Sequence, residues 1–188
     1  MSGWAKKRRL MKRYDLTASM YNLRYADEQE AKIEAALRRV KEKRFGLVLD
    51  VGCGTGILFD YVTDRSKMIV GLDLSKKTLL EAKARMLKKK INNVHVVQAD
   101  ADNMPFCDDM FDQVLAVTVL QNAPNPGGML REIRRVAKEE AIFILTGLKS
   151  IFSKRRFDQV LKKAGLKWEK FEEDDLKCYV TICRNSFP

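Results

Sequence analysis

The chain is poor in the residues from which metal sites, disulfide frameworks and membrane spans are built. Its 188 residues include one histidine and four cysteines, with no C-x-x-C pair, so we predict free thiols and no metal site. No apolar run approaches the roughly 20 residues of a membrane-spanning helix, and residues 1–13 are basic without the apolar stretch of a signal peptide. These absences predict a cytoplasmic protein without a membrane partner.

Glycine, proline and negative charge are also scarce. The chain has 10 glycines and 4 prolines beside 46% hydrophobic residues, which is the composition of one globular domain. Against 25 Asp and Glu residues stand 36 Lys and Arg residues, which gives a net charge of +11. This excess indicates a polyanionic partner such as RNA, or simply a solvated surface rich in lysine.

Composition divides the chain at one point. Residues 1–26 are aromatic and basic, and six of the eight residues from 6 to 13 carry a positive charge. We interpret this segment as an N-terminal arm, the one part of the chain whose order the sequence leaves open. Residues 27–188 contain no linker, repeat or low-complexity block, which predicts a single domain.

Short β-branched runs alternate with longer segments of helical period from residue 45 onward, which is typical of a parallel sheet flanked by helices. The predicted strands are residues 46–51, 68–73, 94–98, 111–117, 141–146, 166–171 and 177–183. The acidic stretch between the last two is too short for a crossover helix, so they must form an antiparallel hairpin. We predict an α/β fold with a doubly wound, seven-stranded, mostly parallel sheet and an antiparallel last strand.

Four segments have the spacing of amphipathic helices. One precedes the sheet, one follows Ser75, one follows Pro126, and one begins at the N-cap candidate Ser153 and ends before Gly165. Their apolar positions are Ile33, Ala36, Leu37 and Val40; Leu80, Ala84 and Leu87; Met129, Leu130, Ile133 and Val136; and Phe157, Val160, Leu161 and Ala164.

The strongest local motif is V-L-D-V-G-C-G-T-G at residues 48–56, where an apolar strand runs directly into three alternating glycines. Glycine permits positive φ and close approach of a ligand, and we expect a following helix whose N–H groups and dipole attract anions. Ile57 stands where the dinucleotide fingerprint has its third glycine, and the G-K-[ST] of a P-loop is missing. NAD and ATP are therefore disfavoured, and a purely structural turn is the alternative.

Acidic residues follow the next two predicted strands. Asp73 ends the second strand, where a carboxylate in this kind of sheet accepts hydrogen bonds from ribose hydroxyls. Capping of the next helix, shared with Ser75, is its other possible role. Asp100 follows the third strand and is a candidate acceptor for an adenine amino group.

Together, residues 48–56, 71–75 and 99–112 resemble the class I S-adenosylmethionine-dependent methyltransferases of the methyltransferase type 11 group. The likeness extends over residues 14–183 and implies a Rossmann-like methyltransferase fold whose last strand is inserted antiparallel. It implies S-adenosyl-L-methionine as the cofactor, with its methionine part at the glycine motif, its ribose at Asp73 and its adenine at Asp100 and Ala101. The implied neighbours along the rest of the cofactor are Asp50, Gly52, Cys53, Gly54, Gly56, Leu74 and Thr118.

The run from Tyr14 to Asn22 resembles the segment that closes over the cofactor in the same group, which implies that Tyr21 shields the site. Position 22 is an asparagine in this chain, whereas an aspartate is common at this place in that group. An aromatic cluster packed on the sheet is the alternative interpretation.

Acceptor contacts are expected beyond the fourth strand, at residues 118–124, because ligands lie outside the carboxyl ends of parallel strands. Gln121 and Asn122 are the candidates for orienting a substrate. Amides are poor proton acceptors, so the sequence shows no general base. Capping of the next helix together with Asn125 is the alternative role.

The charge favours an RNA methyltransferase that acts on tRNA or rRNA, because phosphate contacts would supply affinity. A small-molecule methyltransferase is the alternative, because the type 11 resemblance spans quinones, metabolites and lipids, and a non-catalytic cofactor-binding subunit is a third possibility. Residues 94–98 form a short, apolar predicted edge strand. Such an edge predicts docking of a small activator protein, as in some RNA and translation-factor methyltransferases, unless flanking lysines protect it.

Overall fold

The sheet has seven strands, and its order places the glycine motif next to the central strand. The computed structural model describes residues 3–171 and 175–185, with the backbone alone for residues 170 and 171. The strands are β1 (Phe45–Val51), β2 (Ser66–Asp73), β3 (Val94–Gln98), β4 (Phe111–Ala116), β5 (Ala137–Leu148), β6 (Leu166–Phe171) and β7 (Cys178–Asn185). Their order is β3-β2-β1-β4-β5-β7-β6.

Strand directions confirm the predicted fold. The pairs of β1 with β2, β2 with β3, β1 with β4 and β4 with β5 are parallel, whereas β7 is antiparallel to both β5 and β6. The hairpin of β6 and β7 therefore exists, although Glu172, Glu173 and Asp174 of its predicted connection lie outside the described residues. Strand β5 begins earlier than predicted, at Ala137, and its register with β4 shifts between Phe111 and Gln113.

The sheet is covered by helices on both faces. These are α1 (Gly3–Leu37), α2 (Phe59–Val62), α3 (Lys76–Lys89), α4 (Pro126–Val136) and α5 (Lys154–Lys163). Successive residues of a strand belong to opposite buried clusters, because strand side chains alternate between faces. In β1, for example, Val48 packs with Ile69 and Phe59, whereas Leu49 packs with Val114 and Phe143.

The N-terminal segment is helical from Gly3 and continues without a break into the helix predicted ahead of the sheet. The boundary that composition suggests between residues 26 and 27 falls inside this helix, α1. Its 35 residues span about 52 Å at 1.5 Å per residue. One face is buried, at Ala18, Gln29, Lys32, Ile33, Ala35 and Ala36.

Helix α3 begins at its predicted N-cap, but the prediction of its buried face was wrong. The Ser75 hydroxyl accepts from the Thr78 N–H at 3.2 Å. Leu79 and Ala82 face the core, whereas Leu80 and Leu87 are 55% and 81% exposed. The sequence contains two apolar stripes one residue apart, and spacing alone does not decide which of them meets the sheet.

The other predicted helix ends are confirmed. Asn125 and Ser153 accept from Gly128 N–H and Arg156 N–H at the starts of α4 and α5, and Gly165 follows α5 with a φ of 71°. No helix among residues 3–171 and 175–185 is long and apolar enough to span a membrane. The same residues contain no cluster of three or more His, Cys, Asp or Glu side chains suited to a metal ion.

Candidate functional site

The glycine motif forms a tight turn at the carboxyl end of β1. Gly52, Gly54 and Gly56 have φ angles of 70°, 55° and 75°, a region that side chains other than glycine rarely adopt. The N–H groups of Gly52 and Cys53 both donate to the Leu72 carbonyl, at 2.7 and 3.0 Å. A Cβ at Gly52 would lie 2.6 Å from Val119, whereas a Cβ at Gly54 would meet open space.

The helix expected after this turn is short. Helix α2 has four residues, and a three-residue 3-10 turn follows it. Peptide dipoles add along a helix, and four residues align few of them, so the helix dipole expected to attract an anion here is weak. The polar character of the site comes from side chains instead.

The Asp73 carboxylate is fixed at the end of β2 by two backbone N–H groups. Its Oδ2 accepts from Gly54 N–H at 2.9 Å and its Oδ1 from Ser75 N–H at 2.8 Å. Burial raises the pKa of Asp73, and these backbone hydrogen bonds act in the opposite direction. The carboxylate both holds the turn in place and keeps lone pairs for a ligand, because each oxygen has two.

Asp50 carries a buried polar atom that no described residue satisfies. The residue is fully buried in β1, and its Oδ2 has no hydrogen-bond partner among the described residues. Burial, with the Asp73 charge as a smaller cause, raises the pKa of Asp50 to about 8. An unpaired buried carboxyl is costly, so a cationic ligand beside Asp50 would be strongly favoured.

The third acid, Asp100, is paired with a residue of α1. The Lys7 ammonium lies 2.7 Å from both Asp100 oxygens and 2.6 Å from Asp102 Oδ2. The side chain of Lys7 is 13% exposed, so this is a partly buried ion cluster. It fastens the first turns of α1 over the end of β3.

A cavity lies between these strand ends and α1. Its empty volume is about 820 Å³, counting the part that is open to solvent. Nine predicted residues line it, namely Tyr21, Gly52, Gly54, Asp73, Leu74, Asp100, Ala101, Thr118 and Asn122.

Four other predicted residues lie elsewhere. Asp50 and Cys53 line a smaller adjoining cavity that shares Tyr21, Gly52 and Gly54 with the first one. Gly56 lines neither of these two cavities; a Cβ there would lie 2.6 Å from the Phe59 ring, so the glycine makes room for packing. Gln121 also lines neither, and its Nε2 donates to the Thr118 carbonyl at 2.5 Å.

Thr118 connects α1 to the loop after β4. It has a φ of 61°, and its N–H donates to Thr146 Oγ1 at 2.7 Å. Its hydroxyl donates to Gln29 Oε1 at 2.8 Å and lies 3.4 Å from Lys32 Nζ. A non-glycine residue in this conformation is held there by its surroundings, and here α1 supplies part of them.

Tyr14 and Asn122 meet on the other wall of the cavity. Asn122 Nδ2 donates to the Tyr14 hydroxyl oxygen at 3.0 Å. Tyr14 and Tyr21 lie with ring centroids 6.1 Å apart. Burial raises the pKa of both phenols, so both are protonated at neutral pH.

Sequence reasoning missed two lysines of α1 that form ion pairs inside the fold, the partly buried Lys7 and the fully buried Lys32. The basic composition of the arm marks Lys7 only as surface charge, although Lys7, Met11, Tyr14 and Tyr21 are spaced on one helical face and all line the cavity. Lys32 is fully buried, with Nζ 2.6 Å from Glu28 Oε1. Composition gives no signal for it, because lysine is among the residues least often buried.

The comparison with protein families agrees with this architecture. A family model described as a methyltransferase domain matches residues 49–145, slightly more than half of the chain. The fold and the site define a class I S-adenosylmethionine-dependent methyltransferase domain, and the chain belongs to this methyltransferase domain family. The cofactor of the class is S-adenosylmethionine.

Two relatives share about 30% of the sequence. The malonyl-[acyl-carrier protein] O-methyltransferase of a Marinomonas species is 31% identical over 150 residues, which are 79% of this chain and 54% of the relative. The demethylmenaquinone methyltransferase of Alkalihalophilus pseudofirmus is 29% identical over 133 residues, 69% of this chain and 55% of the relative. The chain thus spans about half the length of these relatives.

Solved structures show the same fold at lower identity. The DhpI–SAH complex superposes with a TM-score of 0.80 at 18% identity, over 95% of this chain and 96% of that one. The methyltransferase in the Haloferax volcanii complex with the Trm112 methyltransferase activator gives a TM-score of 0.79 at 20% identity, over 93% and 98%.

The residues present fit this cofactor. S-adenosylmethionine presents an ammonium, two ribose hydroxyls and an adenine amino group, all of which need acceptors. Three carboxylates follow one another along the strand ends, at Asp50, Asp73 and Asp100. The unsatisfied Oδ2 of Asp50 and the open space at Gly54 are the features that a cofactor would fill.

Proposed function

We propose that the chain transfers a methyl group from S-adenosylmethionine to a small molecule bound under α1. The observation that carries this proposal is one continuous cavity with two different linings. Carboxylates and glycine backbone line it at the ends of β1 to β3, and apolar side chains line it under α1 and after β4, namely Leu10, Met11, Val119, Ala123, Pro124 and Met129.

The cofactor end would be held by residues of three strands. Asp50 would pair with the methionine ammonium, Asp73 would accept from the ribose hydroxyls, and Asp100 from the adenine amino group. Gly52 and Gly54 would let the main chain approach the methionine part, with Cys53 and Leu74 beside it and Ala101 beneath the adenine. The bound cofactor supplies an electrophilic methyl group on a sulfonium ion.

The acceptor end would promote the reaction by positioning the acceptor and by excluding water. Helix α1 covers the cavity, and Tyr14 and Tyr21 line it where the acceptor would meet the methyl group. Holding two reactants in line and excluding water supplies several kcal/mol of such a barrier. Asn122 would orient the acceptor through its contact with Tyr14, and Gln121 would only shape the loop.

The names of the relatives support an acceptor other than a nucleic acid. The two relatives reported above are named for malonyl-[acyl-carrier protein] and demethylmenaquinone, and neither name refers to a nucleic acid. An apolar lining also suits an organic molecule better than it suits a phosphodiester chain.

Incubation with tritiated S-adenosylmethionine and a cell extract tests the proposal. We expect the label to move into organic solvent and to resist RNase and protease. Asp73→Ala should transfer no label. Tight cofactor binding by calorimetry without transfer to any fraction would instead favour a non-catalytic cofactor-binding subunit.

RNA is the second candidate acceptor because of the outer surface of α1. Lys6, Arg8, Arg9, Lys12 and Arg13 are all exposed there. If RNA is the acceptor, RNase should abolish labelling, and each phosphate contact should add about 0.7 to 0.9 to the salt slope of log K. Labelling that neither RNase nor added salt reduces would leave the small-molecule proposal in place.

A protein partner at β3 is a further part of the proposal. β3 is a terminal strand of the described sheet, and an unpaired edge invites strand addition. Leu80 and Leu87 stand exposed on the neighbouring α3, and a structural neighbour was solved with a methyltransferase activator. Val96→Pro should prevent co-purification with such an activator, whereas full activity of the isolated chain would argue against any partner.

The cytoplasm is the proposed compartment. All four cysteines are free and three of them are buried, which suits a reducing environment. Detection of a disulfide in the protein isolated from its native cells would contradict this location.

A further inference from the structure

The outer face of α1 carries a row of apolar side chains that the fold leaves uncovered. Leu16, Met20 and Leu23 are 81%, 48% and 85% exposed, and spacings of four and three residues place them along one side of the helix. The side that packs on the sheet is a different one, with Ala18 and Ile33 among its buried residues. Single exposed apolar side chains are common, but a continuous row of three large ones indicates a surface that another molecule covers.

Charged residues extend this row in both directions, with opposite signs at its two ends. The same alternation of four and three residues runs over the outer face from residue 9 to residue 34. The row consists of Arg9, Arg13, Leu16, Met20, Leu23, Asp27, Glu30 and Glu34. All of these residues are exposed except Glu30, which is half-buried. The outer face is therefore basic in its first third, apolar in its middle and acidic in its last third.

The charged ends of the row are available to a partner. No ion pair between described residues includes Arg9, Lys12 or Asp27, and Lys12 adds a further exposed positive charge beside Arg9. Glu34 lies 4.0 Å from Arg38 in a pair whose side chains are both exposed. Exposed pairs of this kind contribute little to stability, so Glu34 can exchange its partner at small cost.

From this pattern we propose that the outer face of α1 is an interface between two copies of the chain, which pair antiparallel through this helix. A two-fold axis near Met20 would set the basic third of each helix against the acidic third of the other and bring the two apolar middles together. Such an interface is self-complementary, because both copies contribute the same surface. Over residues 9–34 the two helices would overlap for about 39 Å. The inference concerns assembly and does not depend on the proposed methyl transfer.

The distribution of charge disfavours the other molecules that could cover this surface. RNA and an anionic bilayer would both be repelled by Asp27, Glu30 and Glu34, and exposed leucines add nothing to the binding of a phosphodiester chain. A parallel pair of helices would oppose like charges at both ends of the row. An antiparallel second copy satisfies all three parts at once, because each third of the row meets its complement.

Sedimentation of the full chain after nuclease treatment tests the interface. We expect a species with twice the 21.6 kDa mass of one chain. A wild-type chain that sediments as a monomer at about 100 μM, where even a weak specific dimer is populated, would overturn the inference. A larger species that nuclease returns to the monomer would also overturn it, because nucleic acid would then cover the outer face.

Reversal of the charges at one end tests whether opposite ends meet. The variant Arg9→Glu with Lys12→Glu makes both ends of the row acidic, and the variant Asp27→Lys with Glu34→Lys makes both ends basic. All four positions are exposed, so both variants should keep the circular dichroism spectrum of the wild type. We expect each variant alone to dimerise at least about tenfold more weakly than wild type, and a mixture of the two to regain about the wild-type affinity. Unchanged affinity in the separate variants, or no gain on mixing, would overturn the inference.

Cross-linking through single cysteines tests the direction of the pair. Of the four cysteines, Cys107 is exposed and the others are buried, so Cys107→Ser provides the background. In this background Met20→Cys should be joined to its symmetry mate by a short bismaleimide, because the position lies near the two-fold axis. Arg9→Cys should not be joined, because the two copies of residue 9 would lie about 33 Å apart. Joining at residue 9 would show a parallel pair and joining at neither position would place the interface elsewhere, and either result would overturn the inference.

A matched pair of leucine variants tests the apolar part of the row. Leu16→Ser with Leu23→Ser removes two leucines from each copy, and we expect the dimer to weaken at least about 100-fold. Leu80→Ser with Leu87→Ser makes the same change on α3, where these side chains are 55% and 81% exposed, and should leave dimerisation unchanged. Equal dimer affinities in the two double variants would overturn the inference.

Discussion

The two ends of the cavity are built in different ways. At the cofactor end, the register of β1, β2 and β3 brings the carboxyl ends of these strands together, and the Gly54 N–H of the glycine turn holds Asp73. At the acceptor end, a single helix contacts the loop after β4 through side chains such as Tyr14 and Asn122. The cofactor end is therefore a property of the sheet, whereas the acceptor end exists only while α1 is docked.

Asp73→Ala is the change that should affect the cofactor end most. It removes the proposed acceptor of two ribose hydroxyls and two backbone hydrogen bonds of the turn, each worth about 1.5 to 3 kcal/mol when charged. We expect S-adenosylmethionine affinity measured by calorimetry to fall at least about 100-fold. Asp64→Ala, at an exposed position, is the control, and equal affinities for the two variants would show that Asp73 does not bind the ribose.

Asp50 should make cofactor binding depend on pH. Its pKa of about 8 in the free protein means that the carboxyl must lose a proton before it pairs with an ammonium. We expect affinity to rise about tenfold between pH 6.5 and 8 and a proton to be released on binding. Asp50→Asn should make the cofactor affinity independent of pH. A pH-independent affinity in the wild type would show that Asp50 does not pair with the ammonium.

The same group should affect the stability of the free protein in the opposite direction. A carboxyl whose pKa is higher in the folded than in the unfolded state stabilises the fold while it is protonated. That contribution is complete below pH 4 and is lost as the pH rises through about 8, at a rate of at most about 1.4 kcal/mol per pH unit. Thermal unfolding of wild type and Asp50→Asn across this range measures it.

Lys7→Met tests how firmly α1 is fastened. The variant leaves Asp100 and Asp102 without their cation in a partly exposed cluster, so we expect a loss of about 1 kcal/mol in unfolding free energy. Amide hydrogen exchange should increase in the first turns of α1 and remain unchanged after Lys32. Lys6→Met, which removes an exposed charge, should change neither the unfolding free energy nor the amide exchange of α1. Identical exchange in the two variants would mean that other contacts hold the helix end.

Gln121→Ala should have the smallest effect. The side chain lines neither cavity and donates only to the Thr118 carbonyl, so we expect unchanged cofactor affinity and a loss of about 1 kcal/mol in stability. A large loss of transfer activity with unchanged stability would place Gln121 at the substrate after all. Asn122→Ala is the paired variant in which transfer, but not cofactor affinity, should fall.

The sequence predicts the cofactor end better than the acceptor end for a physical reason. Hydrophobic runs and glycines determine strands and turns locally, so the ends of β1 to β3 and their acids can be located from the order of residues alone. The role of a residue such as Gly56 could not be decided from the sequence, because the same local pattern also serves packing against Phe59. Local spacing also could not decide which of two stripes α3 buries.

The acceptor end depends on contacts between residues far apart in the chain. Lys7 and Asp100 are separated by 93 positions, and Tyr14 and Asn122 by 108. Neither pairing leaves a trace in local hydropathy, and the basic composition of the arm conceals the fact that one of its lysines is an internal ion-pair partner. The length of α1 was missed for the same reason, because its first turns are stabilised by docking rather than by propensity.

The burial of Lys32 determines how the site can open. Its ammonium is enclosed by Glu28 of the same helix and by Thr118. Lifting this part of α1 would break the contacts of Lys32 and Gln29 with Thr118 and expose the buried Ile33 and Ala36 to water. The polar contacts nearer the N-terminus, from Lys7 to Asn22, are separate hydrogen bonds and one partly buried ion cluster. Entry of cofactor and departure of product should therefore proceed by bending of the leading half of the helix about a fixed trailing half.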